Sequence, residues 1–457
     1  MQQHNSNTQN KSQELFAKIL RQLQATDNNF AIIHTSSAVE FDTSSDIDIA
    51  FDKDPRKVLD PILVRLHKEG VVRIVQRLHY EVPYGFYYIL SPIDAPKDYL
   101  HLDCLYDPYG INRYHLSTGF LLDDIDMSCG FPRVNAERSA IYLLIKRSIK
   151  NAATPVQLER IFSVLSSGSS VTRKYLQEYV GREISEEISQ YYPLQQGVSI
   201  TRVLASIRSN IENRFMIYHP VRYMLGKFWS VYRKIGRLLA PTGLFVVLIG
   251  PDGAGKSTVN ILVLEQLARA FRCTYRFHWR PGLLPKLGRK NNNAVSDSTG
   301  LDNPASTSKY GTIVSLIRFA YYWLDFILGY WAHLYPLKAQ TTLIIGERYF
   351  TDILIQPARY GFALPHWLMR AASFLVPNPD MTVLLTNTPE AIHERKAELP
   401  IEVIKYQLEH YKNELQYWGY CINVPTDASP EDVATRISEK IIELRDHMNS
   451  RDLLNGK

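Results

Sequence analysis

Near the middle of the chain, glycines are spaced around a lysine and two hydroxyl residues in the order GPDGAGKST, residues 250–258. Glycines allow successive backbone N–H groups to turn inward around phosphate oxygens. Lys256 can reach the β- and γ-phosphates, and Ser257 can ligate Mg²⁺. The residues predicted to bind the nucleotide are Gly250, Asp252, Gly253, Ala254, Gly255, Lys256, Ser257 and Thr258. The spacing therefore predicts a loop that holds the phosphate tail of a nucleoside triphosphate.

The sequence on either side of this loop favours the same interpretation. Residues 244–249 are an apolar run typical of a buried strand, and a helical pattern follows the loop. The residues predicted on the buried face of that helix are Ile261, Leu264, Leu267, Ala268 and Phe271. The helix N-terminus would add a partial positive charge beside the phosphates. A chance glycine turn is the alternative, and the flanking strand and helix count against it.

Further charged residues follow later strands of the second half. Arg280 comes just after the second predicted strand, and Glu347 and Arg348 come just after the third. Parallel sheets bind ligands at these carboxyl ends. Asp252, inside the loop, could face the hydroxyl of an acceptor or the metal. Surface ion pairs are the alternative role for Arg280, and for Arg395 later in the chain.

The first half carries three carboxylates in apolar surroundings. Asp46 and Asp48 lie two residues apart in a predicted strand, which places both side chains on one face. Asp103 lies in the apolar run at residues 100–105, and hydroxyl residues occupy a turn at 34–37. Three converging carboxylates can hold two divalent metals. The alternatives are a surface acidic pair with an unrelated buried Asp103, or a catalytically silent domain that recognises a substrate.

Apolar periodicity predicts the elements that position these groups. In the first half we expect helices at 15–23 and 56–68, strands at 30–34, 47–51, 71–76, 85–90 and 100–105, and mostly helix at 135–217. In the second half we expect strands at 244–249, 274–279, 342–346, 381–386 and 421–424, buried on both faces of a parallel sheet. The fold class is therefore α/β: a C-terminal parallel sheet flanked by helices, preceded by an α+β domain.

Composition shifts divide the chain into four segments. We expect a flexible polar tail at 1–12, the α+β domain at 13–134, a helical region with a basic linker at 135–240, and the parallel-sheet domain at 241–450. The basic, aromatic residues 222–237 are interpreted as a solvated helix face rather than a membrane or nucleic-acid patch, because the charges are few. Residues 290–310 are polar and of low complexity, and are interpreted as a mobile loop.

The bulk properties are those of a soluble globular protein. The 457 residues carry a net charge of +6, too weakly basic to favour nucleic acid as a partner. The four cysteines show no C-x-x-C pairing, and we expect reduced thiols and a cytoplasmic location. Charges interrupt the apolar residues 316–337, so we expect a buried aromatic helix there and no transmembrane segment, with interfacial membrane contact as the minor alternative.

Residues 242–444 resemble the thymidylate kinase branch of the nucleoside monophosphate kinases. The shared motifs are DGAGKS beginning at Asp252, RPG beginning at Arg280, ERY beginning at Glu347, PDMTVLL at 379–385 and TDASP at 426–430. The resemblance implies a P-loop NTPase fold with ATP and Mg²⁺ as cofactors. It also implies that Arg280 and Arg348 hold the acceptor's phosphate or the transferring group, that Glu347 positions the metal with Ser257, and that Arg395 is a lid arginine.

Residues 30–106 resemble the nucleotidyltransferase fold, whose pattern is a small-residue turn, a D-x-D pair and a distant third Asp. Residues 46–48 read DID, and Asp103 supplies the third acid. The resemblance implies that Asp46, Asp48 and Asp103 would be its metal ligands.

Together these patterns predict an enzyme that transfers the γ-phosphate of ATP to a nucleotide-like or other phosphorylated small molecule, with dTMP among the candidate acceptors. A bifunctional kinase and nucleotidyltransferase is the second hypothesis. A non-catalytic ATP-sensing module is the third, although a sensor needs no arginines that hold an acceptor. We consider a homodimer as one assembly, and we expect nucleotides and small molecules, rather than nucleic acid, as ligands.

Overall fold

The computed structural model describes residues 2–33, 43, 45–79, 85–112, 115–190, 200–285, 311–397 and 399–454. The chain divides into two compact units. Residues 1–236 and 445–457 form the first, and residues 237–444 form the second. The hydroxyl-rich turn predicted at 34–37 and the loop predicted at 290–310 lie outside the described residues.

The first unit combines a sheet with many helices. Its strands are β1 (Phe30–Ile32), β2 (Ile47–Phe51), β3 (Val72–His79), β4 (Phe86–Pro92), β5 (Leu100–Leu105), β6 (Ile125–Asp126) and β7 (Arg133–Val134). Its helices are α1 (Gln2–Gln24), α2 (Pro55–Lys68), α3 (Thr118–Leu122), α4 (Ala136–Lys150), α5 (Pro155–Ser166), α6 (Ser170–Val180), α7 (Arg182–Gln190), α8 (Ile200–Tyr218) and α9 (Pro220–Leu239), the last three residues of α9 being counted with the second unit.

The first sheet is mixed, with strand order β3-β4-β5-β2-β1-β7-β6. Parallel pairing of β2 with β5 places Asp48 directly opposite Asp103. The apolar side of α1, including Phe16 and Ile19, packs with α2 in one core cluster, as the helical spacing predicts. The structure begins α1 at Gln2, so residues 2–12 are helical where a flexible tail is expected. A helix anchored by its second half can add further turns, because elongation is easier than nucleation.

The second unit is built on an all-parallel sheet. Its strands are β8 (Leu244–Ile249), β9 (Cys273–His278), β10 (Thr342–Glu347), β11 (Met381–Thr386) and β12 (Cys421–Pro425), in the order β12-β11-β8-β10-β9. The helices that follow are α10 (Lys256–Gln266), α11 (Thr312–Gly329), α12 (Tyr335–Ala339), α13 (Phe350–Ile355), α14 (His366–Ser373), α15 (Pro389–Arg395), α16 (Ile401–Leu415) and α17 (Pro430–Leu454), whose residues from Arg445 belong to the first unit.

Burial along this sheet differs from the prediction at its two edges. Every residue of β8 and β10 is buried. In β9 only Phe277 is buried, and in β12 only Val424 is buried. The expectation of burial on both faces is therefore wrong for β9 and β12. Each is an edge strand with one neighbour, so its side chains are covered from fewer directions.

The helix after the glycine loop buries a different face from the predicted one. Val259 and Val263 are buried on α10, whereas Ile261 is 44% exposed. The helix ends at Gln266, so Leu267 and Phe271 are buried beyond its end rather than along one of its faces. The predicted apolar face is wrong because the prediction continued the helix to Phe271, beyond its observed end at Gln266.

The aromatic segment predicted at 316–337 is helical and only partly buried. It comprises α11, a π-helical turn at Tyr330–Leu334, and α12. Phe319, Phe326 and Tyr330 pack in the core beside the sheet, whereas Ile317 and Trp331 are exposed. By length and composition alone, the stretch Thr312–Ala339 could cross a membrane, and a third of its most apolar window is buried. Core packing on one side explains why a helix this apolar also fits a globular unit.

Candidate active site

The glycine loop adopts a backbone that side chains would not tolerate. Gly250, Gly253 and Gly255 have φ angles of 147°, 89° and 86°, values that L-residues rarely adopt. A Cβ at Gly250 would lie 2.7 Å from the Leu385 carbonyl oxygen, and one at Gly253 would lie 2.9 Å from the Ile392 carbonyl oxygen. Gly250 and Gly253 are therefore required both by backbone conformation and by the close approach of neighbouring backbone, and Gly255 by conformation alone.

Lys256 is buried at the start of α10 and turned back over the loop. Its ammonium donates to the carbonyl oxygens of Gly250 at 2.9 Å and Pro251 at 2.8 Å. Burial, followed by the nearby Arg348 guanidinium, lowers the pKa of Lys256 to about 8. The side chain thus lies along the rim of the loop as a cation whose charge is sensitive to its surroundings.

A buried carboxylate faces the first turn of α10. Ser257 Oγ donates to Glu347 Oε2 at 2.7 Å, and Asn260 Nδ2 donates to Glu347 Oε1 at 3.2 Å. Glu347, at the end of β10, is 5% exposed. The structure therefore brings together Ser257 and Glu347, the two residues predicted to hold Mg²⁺ in this unit. Asn260 was not predicted, although its position one helical turn after Lys256 could have indicated it.

Three cations converge on the single carboxylate of Asp252. Arg348 Nη2 donates to Oδ1, Arg359 Nη1 lies 2.5 Å from Oδ2, and Lys256 Nζ lies 3.5 Å from Oδ1. Burial alone would raise the pKa of Asp252, but these cations hold it well below its usual range. The site therefore concentrates positive charge around one ionised carboxylate.

Asp352 is a second buried acid that the sequence analysis did not identify. It is fully buried, lies 3.2 Å from Arg348 Nη1, and accepts from the Tyr411 hydroxyl at 2.9 Å. Burial alone would lower the pKa of Arg348. The nearby Asp352, Tyr360 and Asp252 outweigh burial and hold that pKa well above its ordinary value. Arg359, which lies on a 3₁₀ turn at Pro357–Tyr360, was missed as well. Asp352 and Arg359 belong to no recognisable motif. Their closeness in sequence to Arg348 is the only signal that could have indicated them.

Backbone strain marks the ends of two neighbouring strands. Trp279 and Arg348 follow β9 and β10 with φ angles of 66° and 69°, which non-glycine residues rarely adopt. Hydrogen bonds hold both: Trp279 N donates to Glu347 O at 2.7 Å, and Arg348 N donates to Leu248 O at 2.9 Å. Strain of this kind costs of order 1–3 kcal/mol per residue and clusters at functional sites.

The aromatic ring of Trp279 is buried beside the 3₁₀ turn that carries Arg359. It stacks on Tyr360 with ring centroids 4.8 Å apart and an interplanar angle of 9°. Its indole Nε1 is buried and makes no hydrogen bond within the described part of the chain. The side chain is 7% exposed, so this donor faces the interior of the unit.

Arg280 lies in a different environment from the one predicted. Its Nη1 donates to Asp325 Oδ2 and to the Leu284 carbonyl oxygen, each at 2.8 Å, and Asp325 is fully buried. Asp325 also accepts from the backbone N–H of Leu284 at 2.6 Å. In this structure the guanidinium ties α11 to the chain that follows β9. Contact with an acceptor remains a prediction for this residue.

Arg395 contacts the chain segment that follows β12. At the end of α15, its Nη2 donates to the Thr426 carbonyl oxygen at 2.8 Å, and Nη1 lies 3.4 Å from Thr426 Oγ1. Asn387 Nδ2 donates to the same carbonyl at 2.8 Å. Arg395 therefore anchors the segment after β12 in this structure, and its predicted role in a lid is untested.

In the first unit, two of the three predicted carboxylates share a lysine. Lys146 Nζ, on α4, lies 2.5 and 2.7 Å from the two oxygens of Asp48 and 3.6 Å from Asp103 Oδ2. Asp46 instead accepts from the Tyr87 hydroxyl at 2.8 Å, and Tyr87 also contacts His101 Nδ1 at 2.7 Å. An ammonium group thus occupies the position between the paired acids where a divalent cation is expected.

These residues as arranged do not fit a two-metal centre. Across the described ranges, which omit residues 34–42, no group of three or more His, Cys, Asp or Glu side chains has the geometry to hold a metal ion. Lys146 would have to leave Asp48 before that carboxylate could coordinate a cation. We therefore derive no step through metal ions in this unit.

A cavity of about 460 Å³ lies elsewhere in the first unit, among α6, α8 and α9. Arg214, Arg222 and His219 line it with Glu178 and several aromatic rings. It contains none of the predicted site residues, although His115, which lines it, has a φ of 57°. The glycine loop, with its strained strand ends and converging cations, is the stronger candidate site.

No protein-family model matches this chain. No curated protein matches it either.

Proposed function

We propose that the second unit is a P-loop phosphotransferase, similar to the thymidylate kinases, that transfers the γ-phosphate of ATP to a small anionic acceptor. The observation that carries this proposal is the convergence of Lys256, Arg348 and Arg359 on Asp252 beside the glycine loop. Phosphoryl transfer places several negative oxygens in one small space, and catalysis consists mainly of positioning them and neutralising their charge.

The loop and the start of α10 would hold the triphosphate. Backbone N–H groups of the loop and the helix N-terminus would bind the anion, and Lys256 would exchange its two loop carbonyls for phosphate oxygens. Ser257 and Glu347 fit Mg²⁺, because protein sites for this ion use one or two oxygen ligands besides the phosphates and waters. When bound, the ion would supply positive charge that neutralises the phosphate oxygens.

The acceptor would lie on the side of Arg348 and Arg359. Phosphate recognition favours arginine, whose planar fork can bind two oxygens at once. In this structure both guanidinium groups are held by Asp252, and Arg348 is also held by Asp352. An incoming phosphate would compete with Asp252 for the two arginines. Asp252 would then be able to accept a hydrogen bond from an acceptor hydroxyl.

An ATP sensor without turnover explains the acceptor side less well. A sensor requires a triphosphate site and a switching element, but it does not require further cations near the γ-phosphate. Arg359 and the strained Arg348 lie beyond the residues that a glycine loop needs for binding. Strain is expected where residues must be held in one exact reactive position.

For the first unit we propose a nucleotidyltransferase-like domain that recognises a ligand without metal-dependent transfer. The supporting observation is Lys146, which neutralises Asp48 and Asp103 in place of a cation. The bifunctional hypothesis requires that lysine to move. Replacing Asp46 and Asp48 together by Ala would leave kinase turnover unchanged if only the second unit is catalytic.

The test is ADP release by the full chain with Mg²⁺-ATP and a panel of acceptors: nucleoside monophosphates including dTMP, sugars and sugar phosphates. We expect release to depend on one class of acceptor and to be lost in Lys256→Ala. Lys405→Ala, which removes an exposed lysine of α16, is the matched control and should be normal. Tight ATP binding with no turnover against the whole panel would support the sensor and overturn the kinase.

A further inference from the structure

Helix α9 has no buried residue along its entire length. Its apolar residues nevertheless follow one face, at intervals of three and four positions. These residues are Val221, Met224, Leu225, Phe228, Val231, Tyr232 and Ile235, each between 45% and 71% exposed. An amphipathic helix of a globular unit normally packs its apolar face against the core. The exposure of this face on α9 therefore suggests that it contacts something other than the core.

The opposite side of α9 is the one that packs against the first unit. A Cβ at Gly226 would lie 2.7 Å from the Ile111 carbonyl oxygen, so the backbones approach closely at this glycine. Trp229 and Ser230 are half-buried, whereas their neighbour Phe228 is 63% exposed. The half-buried side of α9 is thus the one opposite its exposed apolar face, whereas an amphipathic surface helix usually buries its apolar face.

The charges on this helix all have one sign. Its sequence, PVRYMLGKFWSVYRKIGRLL, contains Arg222, Lys227, Arg233, Lys234 and Arg237 and no acidic residue. Lys227 and Lys234 are exposed on one flank of the apolar face, and Arg222 is exposed on the other. Lysine and arginine can extend past an apolar surface to reach phosphate groups at its edge.

We propose that α9 lies in the surface of an anionic phospholipid membrane, with its apolar face inserted and its flanking cations on lipid phosphates. Apolar residues on one face and basic residues on the other are the features of an interfacial helix. Tyr232 adds an aromatic ring of the kind enriched at membrane interfaces. A second copy of this chain would complement the face less well, because each copy would bring the same uncompensated positive charge.

Flotation of the full chain with lipid vesicles tests the proposal. Vesicles of phosphatidylcholine alone are compared with vesicles that also contain phosphatidylglycerol. We expect flotation with the anionic vesicles, and release from them as salt is raised. Lys227→Gln with Lys234→Gln should weaken binding about 30-fold, from about 1 kcal/mol for each cation near the surface.

Two further variants distinguish the contribution of the inserted apolar face from that of the flanking cations. Phe228→Ser with Ile235→Ser should abolish flotation, and both side chains are exposed, so folding should be retained. Val156→Ser, at a 61% exposed apolar residue of α5, is the matched control and should float normally. Circular dichroism and ATP affinity of each variant show whether the fold is intact.

Three results would overturn the proposal. The wild-type chain could fail to float with anionic vesicles, or it could float equally with neutral ones. Alternatively, the Phe228→Ser, Ile235→Ser variant could convert a dimer to a monomer in the absence of lipid, which would assign the face to a second copy.

Discussion

Raising the pH through about 8 should weaken ATP binding, because the Lys256 ammonium has its pKa lowered to about 8 and contacts phosphate only when charged. The group is protonated below that value and neutral above it, so affinity is present at lower pH and lost as pH rises. At about pH 7 roughly nine in ten of these side chains carry the charge, and at about pH 9 roughly one in ten. If the neutral form does not bind, affinity falls about tenfold over this interval.

Calorimetric titration of the full chain with Mg²⁺-ATP at several pH values measures this effect. Three ionisable neighbours of Lys256 should not titrate in the interval. Asp252 has its pKa held well below its usual range, Arg348 has its pKa raised, and the pKa of His278 is lowered from 6.5. Lys256→Arg keeps a permanent charge, so its affinity, though reduced, should not vary with pH in this way.

A second variant moves the midpoint of the titration. Arg359 is one of the cations that lower the pKa of Lys256, so Arg359→Ala should shift the loss of affinity to higher pH. Wild-type affinity that stays constant from about pH 7 to about pH 9 would refute the assignment of phosphate binding to Lys256. A pH dependence that persists unchanged in Lys256→Met would refute it as well.

Three further predictions concern the ion pairs. Arg359→Ala should lower kcat/KM for the acceptor about tenfold to a hundredfold, because one charged hydrogen bond contributes about 1.5–3 kcal/mol. Steady-state kinetics of the same variant should show little change in KM for ATP at about pH 7. Arg280→Ala should destabilise the second unit by about 3–5 kcal/mol in urea unfolding, since it leaves Asp325 buried and unpaired, and Arg280→Lys should restore part of this. Lys146→Ala should lower the melting temperature of the first unit and make it rise with added Mn²⁺, which would reach Asp48; a wild-type protein stabilised equally by Mn²⁺ would contradict this.

Residues that belong to strands or follow them directly could be placed from the sequence. Glu347 and Arg348 were expected beside the glycine loop because both follow a buried strand of a parallel sheet, and such strand ends meet at one edge. Asp48 and Asp103 could be predicted to lie close together for a similar reason. Each lies inside an apolar run, and the structure pairs the two strands in parallel with these residues opposite each other.

Residues contributed by turns and helices far along the chain could not be placed in this way. Arg359 reaches Asp252 from a short 3₁₀ turn, whose position depends on how α13 packs rather than on any local pattern. Lys146 reaches Asp48 from a helix 98 residues later, and its burial is visible only in the folded chain. The same holds for Arg280, whose partner Asp325 was interpreted only as a charge interrupting an apolar stretch.

ATP binding by the glycine loop is tested by calorimetric titration of the purified chain with ATP, in the presence and absence of Mg²⁺. We expect saturable binding that is strengthened by Mg²⁺ in the wild type, and that loses most of this strengthening in Ser257→Ala. Absence of any Mg²⁺-dependent affinity for ATP or GTP in the folded protein would contradict it.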